Sequence, residues 1–149
     1  MKIRLDYGSV SPESLKGMYE LEKYVHGSGL ERKLYELVKI RASQINGCAY
    51  CLDMHTKDAR KAGETEQRLH VLSAWREAPF YTDRERKALE WTEALTLVSQ
   101  NHVSDELYES VKKHFTDKEL VALTMAIVAI NGWNRLAIGF GSEPGTYQP

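Results

Sequence analysis

Apolar positions recur along most of this chain at the spacing of a helix face, and capping residues punctuate them. Ser11-Pro12-Glu13 reads as a helix start, with Pro in the first turn where its missing N–H costs nothing. That helix is expected to run to about residue 26 and stop at Gly27. Ser28 and Glu31 have the spacing of a capping box, and Leu30, Leu34, Leu37/Val38 and Ile45 mark one face of the helix that follows. Asn46-Gly47 is a break. The next helix is expected from about Cys48 to Gly63, and a shorter one over 66–74. Thr82 and Glu85 form a second capping box, opening a helix that carries Leu89, Trp91, Leu95 and Val98. Ser104 caps a short helix. Thr116 and Glu119 form a third box and open the most apolar helix, running to about Phe140. The tail GSEPGTYQP reads as irregular, and no segment alternates cleanly enough to be a strand. The fold class is therefore all-α, about six or seven helices packed as one domain over 1–149.

The last helix is apolar on nearly every face over 120–130, interrupted only by Thr124. Such a helix is buried on all sides. It is either central to the domain or partly covered by a second subunit, and a homo-oligomer is expected. The run is shorter than the ~18–20 residues that span a bilayer. MKIRLDYGSV has no apolar stretch after its early positive charges, so it is not a signal peptide, and the expected setting is cytoplasmic, with no membrane partner. Composition supports a soluble globular domain, with 28% charged and 42% hydrophobic residues. Twenty basic residues against 21 acidic ones, with no basic stripe, argue against nucleic acid as a partner.

The chemistry gathers in "GCAYCLDMH". It holds both cysteines, Cys48 and Cys51, and His55 four places after the second. At about 100° per residue these side chains fall within a sector of ~60°. A cysteine at a helix N-terminus has its thiolate favoured by free N–H groups and the macrodipole, which alone would choose Cys48 as the nucleophile. His55 is the helical neighbour of Cys51 and a candidate base. Close cysteines in a reducing compartment are more often catalytic or metal-bound than a static disulfide. A zinc site would need a fourth ligand, Glu36 or His70, and structural zinc cysteines favour a knuckle over a continuous helix, so no metal is expected. Thioredoxin-type chemistry lacks its βαβ context. No Gly-rich phosphate loop or flavin or nicotinamide fingerprint is visible, so no bound cofactor is expected. His26, His70, His102 and His114 read as surface or packing residues. Trp75, Trp91 and Trp133 read as core or subunit interface.

The stretch "ELVKIRASQINGCAYCLDMHTKDARKAGE" resembles the signature of the alkylhydroperoxidase D-like proteins, within the carboxymuconolactone decarboxylase superfamily. Glu36, Cys48, Cys51 and His55 match its pattern of Glu, eleven residues, Cys-x-x-Cys, three residues, His. The likeness continues through "RLHVLSAWREAPFYTDRERKALEWTEALT" and "INGWNRLAIGFG". Spacing alone leaves Glu36 as one of several charges on a helix; the resemblance makes it a site residue. It implies a compact all-helical fold assembling as trimers or hexamers, and thiol-dependent reduction of hydroperoxides. Cys51 would then be the peroxidatic cysteine, Cys48 the resolving one, and Glu36 and His55 a proton relay through water. An external dithiol, such as a lipoyl group on a partner protein, would restore the thiols, an exchange that suits an exposed, acidic Cys48, while a less exposed Cys51 paired with His55 suits the peroxide. The founding members carry a second His between the cysteines where this chain has Tyr50, which is no neutral-pH base with a reference pKa near ~10. Asn134 and Arg135 match the family's "WNR" segment and read as structural polar residues. Decarboxylation of a lactone, the other chemistry of the superfamily, belongs to members without the Cys pair. A non-catalytic redox sensor would use the same thiols.

Overall fold

In a computed structural model that describes residues 2–149, the helices are α1 (Tyr7–Val10), α2 (Lys16–Gly27), α3 (Arg32–Asn46), α4 (Ala49–Lys61), α5 (Glu66–His70), α6 (Asp83–Thr96), α7 (Asp105–Lys112) and α8 (Asp117–Phe140). Short 3₁₀ turns, Pro12–Leu15 and Leu72–Ala74, lead into α2 and follow α5. No strand occurs among the described residues, so the all-α class holds. The helix beyond the expected number is α1, a single turn whose N-cap Asp6 accepts from Ser9 N–H.

The boxes at Thr82/Glu85 and Thr116/Glu119 both form, with hydroxyl and carboxylate each satisfying a backbone N–H. The one expected at Ser28/Glu31 does not. Ser28 instead closes α2, its hydroxyl donating to the Val25 carbonyl at 2.7 Å and accepting from Leu30 N–H at 3.3 Å. The Glu31 carboxylate is taken by Arg84 at 3.0 and 3.1 Å, and Glu31 itself is the N-cap, so α3 starts three residues later than the box would start it.

The central helix is α3, not α8. Leu34 through Ile40 are buried at every consecutive position. Leu34 and Val38 meet Trp91 of α6 and Leu123 and Ile127 of α8. Leu37 and Ile40 meet Leu72, Trp75 and Leu89 on another side. Glu36 and Lys39 are buried with them, which is possible because each is paired, Lys39 with the Glu22 carboxylate and Glu36 with the His55 imidazole. Helix α8 packs on α2, α3, α4 and α6 through Leu120, Leu123, Ile127 and Ile130. Its opposite face is bare: Val121 is 56% and Val128 51% exposed. By length and composition α8 is also apolar enough to cross a membrane, with mean hydropathy 1.4 over a window that is 44% buried in the fold.

The corner between α3 and α4 positions the cysteines. Gly47 takes a left-handed φ of 69°, Cys48 N–H returns to the Ser43 carbonyl at 3.0 Å, and Gly47 N–H to that of Gln44 at 3.3 Å. This closes α3 in a Schellman motif, and its last residue, Cys48, is at once the N-cap of α4. Asn134 pins the corner to α8. Fully buried, it accepts from Asn46 Nδ2 at 2.8 Å and donates to Ser43 Oγ at 3.0 Å.

Candidate active site

Cys48 and Cys51 are joined as a disulfide, with Cα atoms 5.3 Å apart. Cys48 has extended backbone and its sulfur accepts from Cys51 N–H at 3.3 Å, the role a serine hydroxyl plays at an ordinary N-cap. Cys51 is thus the third residue of α4, so both sulfurs sit within the first turn and under the positive end of its dipole. Had α4 started at Cys48, Cys51 would stand one residue further from the dipole's end. The exposed Cys48 expected from the sequence is not found. It is 1% exposed and Cys51 2%, both packed against Ala42, Ile130 and Ala137.

Residues far apart in the chain meet beside the disulfide. His55, one turn on from Cys51, has its Nδ1 3.1 Å from Glu36 Oε2, and both residues are buried. Burial alone would push the Glu36 carboxyl up. The hydrogen bond with His55, the imidazole's charge and the nearby Lys39 ammonium outweigh it and hold the group below its ordinary 4.5. With Nδ1 engaged, Nε2 is the nitrogen left for proton exchange.

Cys51 and His55 line a cavity of about 330 Å³, with Tyr7, Tyr19, Tyr50, Met54 and Trp133 among its walls. Cys48 is not on that wall. Tyr50 contributes its ring to the lining and Trp133 stacks at a tilt on Tyr19, 5.7 Å between centroids. Of the three tryptophans, Trp75 and Trp91 are core as expected, and Trp133 is instead a wall of the site. At the same cavity Lys39 donates to Glu22 Oε2 at 2.9 Å, and Trp133 Nε1 donates to Glu22 Oε1 at 3.0 Å. Sequence reasoning missed Lys39 and Glu22. Lys39 stands one helical turn after Glu36, a spacing that could have flagged it. His70 is exposed, lines a different groove and is not brought to the cysteines, so it completes no zinc site with them. Asp58, by contrast, joins Glu36 and His55, with one polar atom of each within 4.8 Å of the others. It too was missed, although at i+7 from Cys51 it lies on nearly the same line along the helix. Arg135 is exposed and bonds back to Asn131 on its own helix.

Residues 12–94 match the carboxymuconolactone decarboxylase family model, more than half of the chain and all of the site residues named from sequence. An uncharacterized protein of Bacillus subtilis (strain 168), YdfG, is 48% identical over 96% of this chain and 97% of its own length. Among solved structures, a protein of unknown function from Agrobacterium tumefaciens, ATU0492, thought to be an antioxidant defence protein AhpD, superposes with a TM-score of 0.94. It is 46% identical over 98% of this chain and 100% of its own. An uncharacterized peroxidase-related protein from Ralstonia eutropha, described as an alkylhydroperoxidase AhpD core, shares the fold at TM-score 0.82 and 19% identity, over 93% of this chain and 74% of its own. With its family segment, its fold and its Cys-x-x-Cys pair in agreement, this chain belongs to the carboxymuconolactone decarboxylase family as an AhpD-like member.

Proposed function

We propose that this protein is a thiol peroxidase that reduces hydroperoxides through Cys48 and Cys51, with Glu36 and His55 carrying the protons. The observation that carries the reading is the position of Cys51. It lies on the wall of an aromatic cavity next to a buried imidazole–carboxylate pair, one turn of helix from a second cysteine already bonded to it. The Agrobacterium relative's presumed role in antioxidant defence agrees with it.

The reaction balances with these groups alone and an external dithiol. His55, held by Glu36, takes the proton of the Cys51 thiol. The thiolate attacks the distal oxygen of the hydroperoxide, an S–O bond forms and the O–O bond breaks. The departing alkoxide receives the proton from His55 and leaves as an alcohol. Cys48 then gives up its proton, its thiolate attacks the Cys51 sulfenic sulfur, and hydroxide leaves with that proton as water. Cys51 has been oxidised, the peroxide reduced, and the disulfide seen here is the product. A dithiol, such as a lipoyl group on a partner protein, restores both thiols by exchange. The dipole at the start of α4 favours the thiolate in both steps.

A homo-oligomer is part of the same proposal. Val121 and Val128, one above the other on α8, offer an apolar strip that a second copy would cover.

The test is trapping. Protein reduced with a dithiol receives one equivalent of an organic hydroperoxide together with a sulfenic-acid reagent, and its peptides are weighed. The expected product is label on Cys51 in the Cys48→Ser variant and the Cys48–Cys51 disulfide in the parent. Failure to consume peroxide, with no disulfide formed, overturns the reading.

A further inference from the structure

Helix α4 carries an acidic residue that the relay above does not use. Asp58 follows His55 by three positions, and polar atoms of Glu36, His55 and Asp58 lie within 4.8 Å of one another. Glu36 and His55 are buried, whereas Asp58 is half-buried, so the cluster runs from a dry end to a wet one. The Asp58 carboxylate is held in place. The Tyr147 hydroxyl donates to its Oδ1 at 2.7 Å. Tyr147 comes from the irregular tail, 142–149, which lies along the outer face of α4. Lys57 Nζ donates to the Tyr147 carbonyl at 3.0 Å, and Gly145 N–H to Asp53 Oδ2 at 3.0 Å. Lys61 Nζ donates to the Pro149 carbonyl at 2.8 Å, so the tail is fastened to the helix that carries Cys51 and His55 on both sides of the residue that meets Asp58.

We propose that Asp58 and Tyr147 are positioning residues of the proton relay, the Tyr147 hydroxyl fixing the Asp58 carboxylate beside His55 and Glu36 at the solvent end of the cluster. Its chemistry rests on the peroxidase reading; its geometry does not. The Tyr147 phenol is pushed up to about 12, first by its hydrogen bond to Asp58, then by burial and by the charges of Asp58 and Glu36. It therefore stays a donor at neutral pH. The other titratable groups around His55 are Glu36 and Lys39 from α3, with Tyr35 bonded to Glu36, Glu22 and Tyr19 from α2, Tyr7 from α1 and Tyr50 from α4. None of them touches Tyr147 by a hydrogen bond. Removing the Asp58 charge lowers the proton affinity of its neighbours. Removing the Tyr147 donor leaves the carboxylate less stabilised and raises the affinity of the cluster for a proton.

The two substitutions should therefore act in opposite directions. The readout is the rate at which iodoacetamide alkylates Cys51 in the reduced protein, followed across pH by peptide mass. The acid limb of that profile should move to lower pH by roughly half a unit or more in Asp58→Asn. It should move to higher pH, by less, in Tyr147→Phe, which keeps the ring and loses only the hydroxyl. The double variant should overlay Asp58→Asn, because Tyr147 then has no carboxylate to hold. A Tyr147→Phe profile superimposed on the parent overturns the proposal, as does an Asp58→Asn profile that does not move. So does a Tyr147→Phe displacement that persists in the Asp58→Asn background. Alkylation needs no turnover. Displaced limbs in a protein that consumes no peroxide would leave this proposal standing and sink the peroxidase reading.

Discussion

Glu36 and His55 stand nineteen positions apart in the chain and 3.1 Å apart in the fold, each buried and each the other's hydrogen-bond partner. The two-helix corner at Gly47 makes the meeting possible, folding α4 back along α3. Glu36→Gln keeps the shape and removes the charge that orients and supports the imidazole. Peroxide reduction should fall on the order of a hundredfold, read as kcat/KM against an organic hydroperoxide with a dithiol donor. A loss within about threefold would leave Glu36 a packing residue rather than part of the relay.

The same pair makes a statement about stability. The Glu36 carboxyl is held below its ordinary 4.5 in the fold, so its contribution is complete above that value and lost as pH falls through the depressed one. Urea unfolding should find the parent more stable than Glu36→Gln near pH 7, with the gap narrowing below about pH 4. A gap that stays constant across that range would contradict the ionised, paired carboxylate.

Asn134 has no contact with the cavity, yet the site depends on it. Its amide bridges Asn46 and Ser43 and so ties the turn that presents Cys48 to the core helix behind it. Asn134→Leu fits an amide-sized space but leaves the fully buried Ser43 oxygen without this donor and the Asn46 amide without this acceptor. The expected loss is about 2–3 kcal/mol by chemical denaturation, from unpaired buried polar groups. A change below about 0.5 kcal/mol would mean that water replaces the amide at no penalty.

Much of this was legible in the chain, and the parts that were not share a cause. The all-helical class, two of the three capping boxes, the break at Asn46-Gly47 and the cluster of Cys48, Cys51 and His55 on α4 all follow from local spacing. Local pattern misjudged α3. Its charges Glu36 and Lys39 gave it the look of a half-solvated helix, and only the fold shows that His55 and Glu22 partner them inside. The apolar run of α8, interrupted only by Thr124, left open a central helix or one partly covered by a second subunit, and in the single chain its Val121 and Val128 face outward. Ser28 and Glu31 have box spacing, but Arg84, 53 positions from Glu31, takes the carboxylate. The tail was rightly irregular, and no periodicity could have placed Tyr147 on Asp58. In each case a distant partner decided what a local rule had left open.

Tyr50 stands where the founding alkylhydroperoxidase D proteins have a histidine, and here its ring is part of the cavity wall. Its side chain packs against the cluster that holds both cysteines, a role that the ring can fill without the hydroxyl. Tyr50→Phe should therefore leave kcat within about twofold of the parent, whereas Tyr50→Ala should raise KM for a bulky hydroperoxide by removing apolar contact. A pronounced loss of kcat in Tyr50→Phe would instead give the phenol a part in the proton path.

The outer face of α8 bears on assembly. Val121 and Val128 lie two turns apart on the side of the helix away from α3, and a carboxylate placed between two apolar surfaces is strongly disfavoured. Sedimentation of the parent should find a trimer or hexamer, and Val128→Glu should shift it toward the monomer while leaving the helical circular dichroism unchanged. Because Val128 is half exposed in the single chain, the substitution removes little core packing, so dissociation without unfolding is the informative result. A parent that sediments as a monomer, or a Val128→Glu variant of unchanged mass, would refute α8 as the contact between copies.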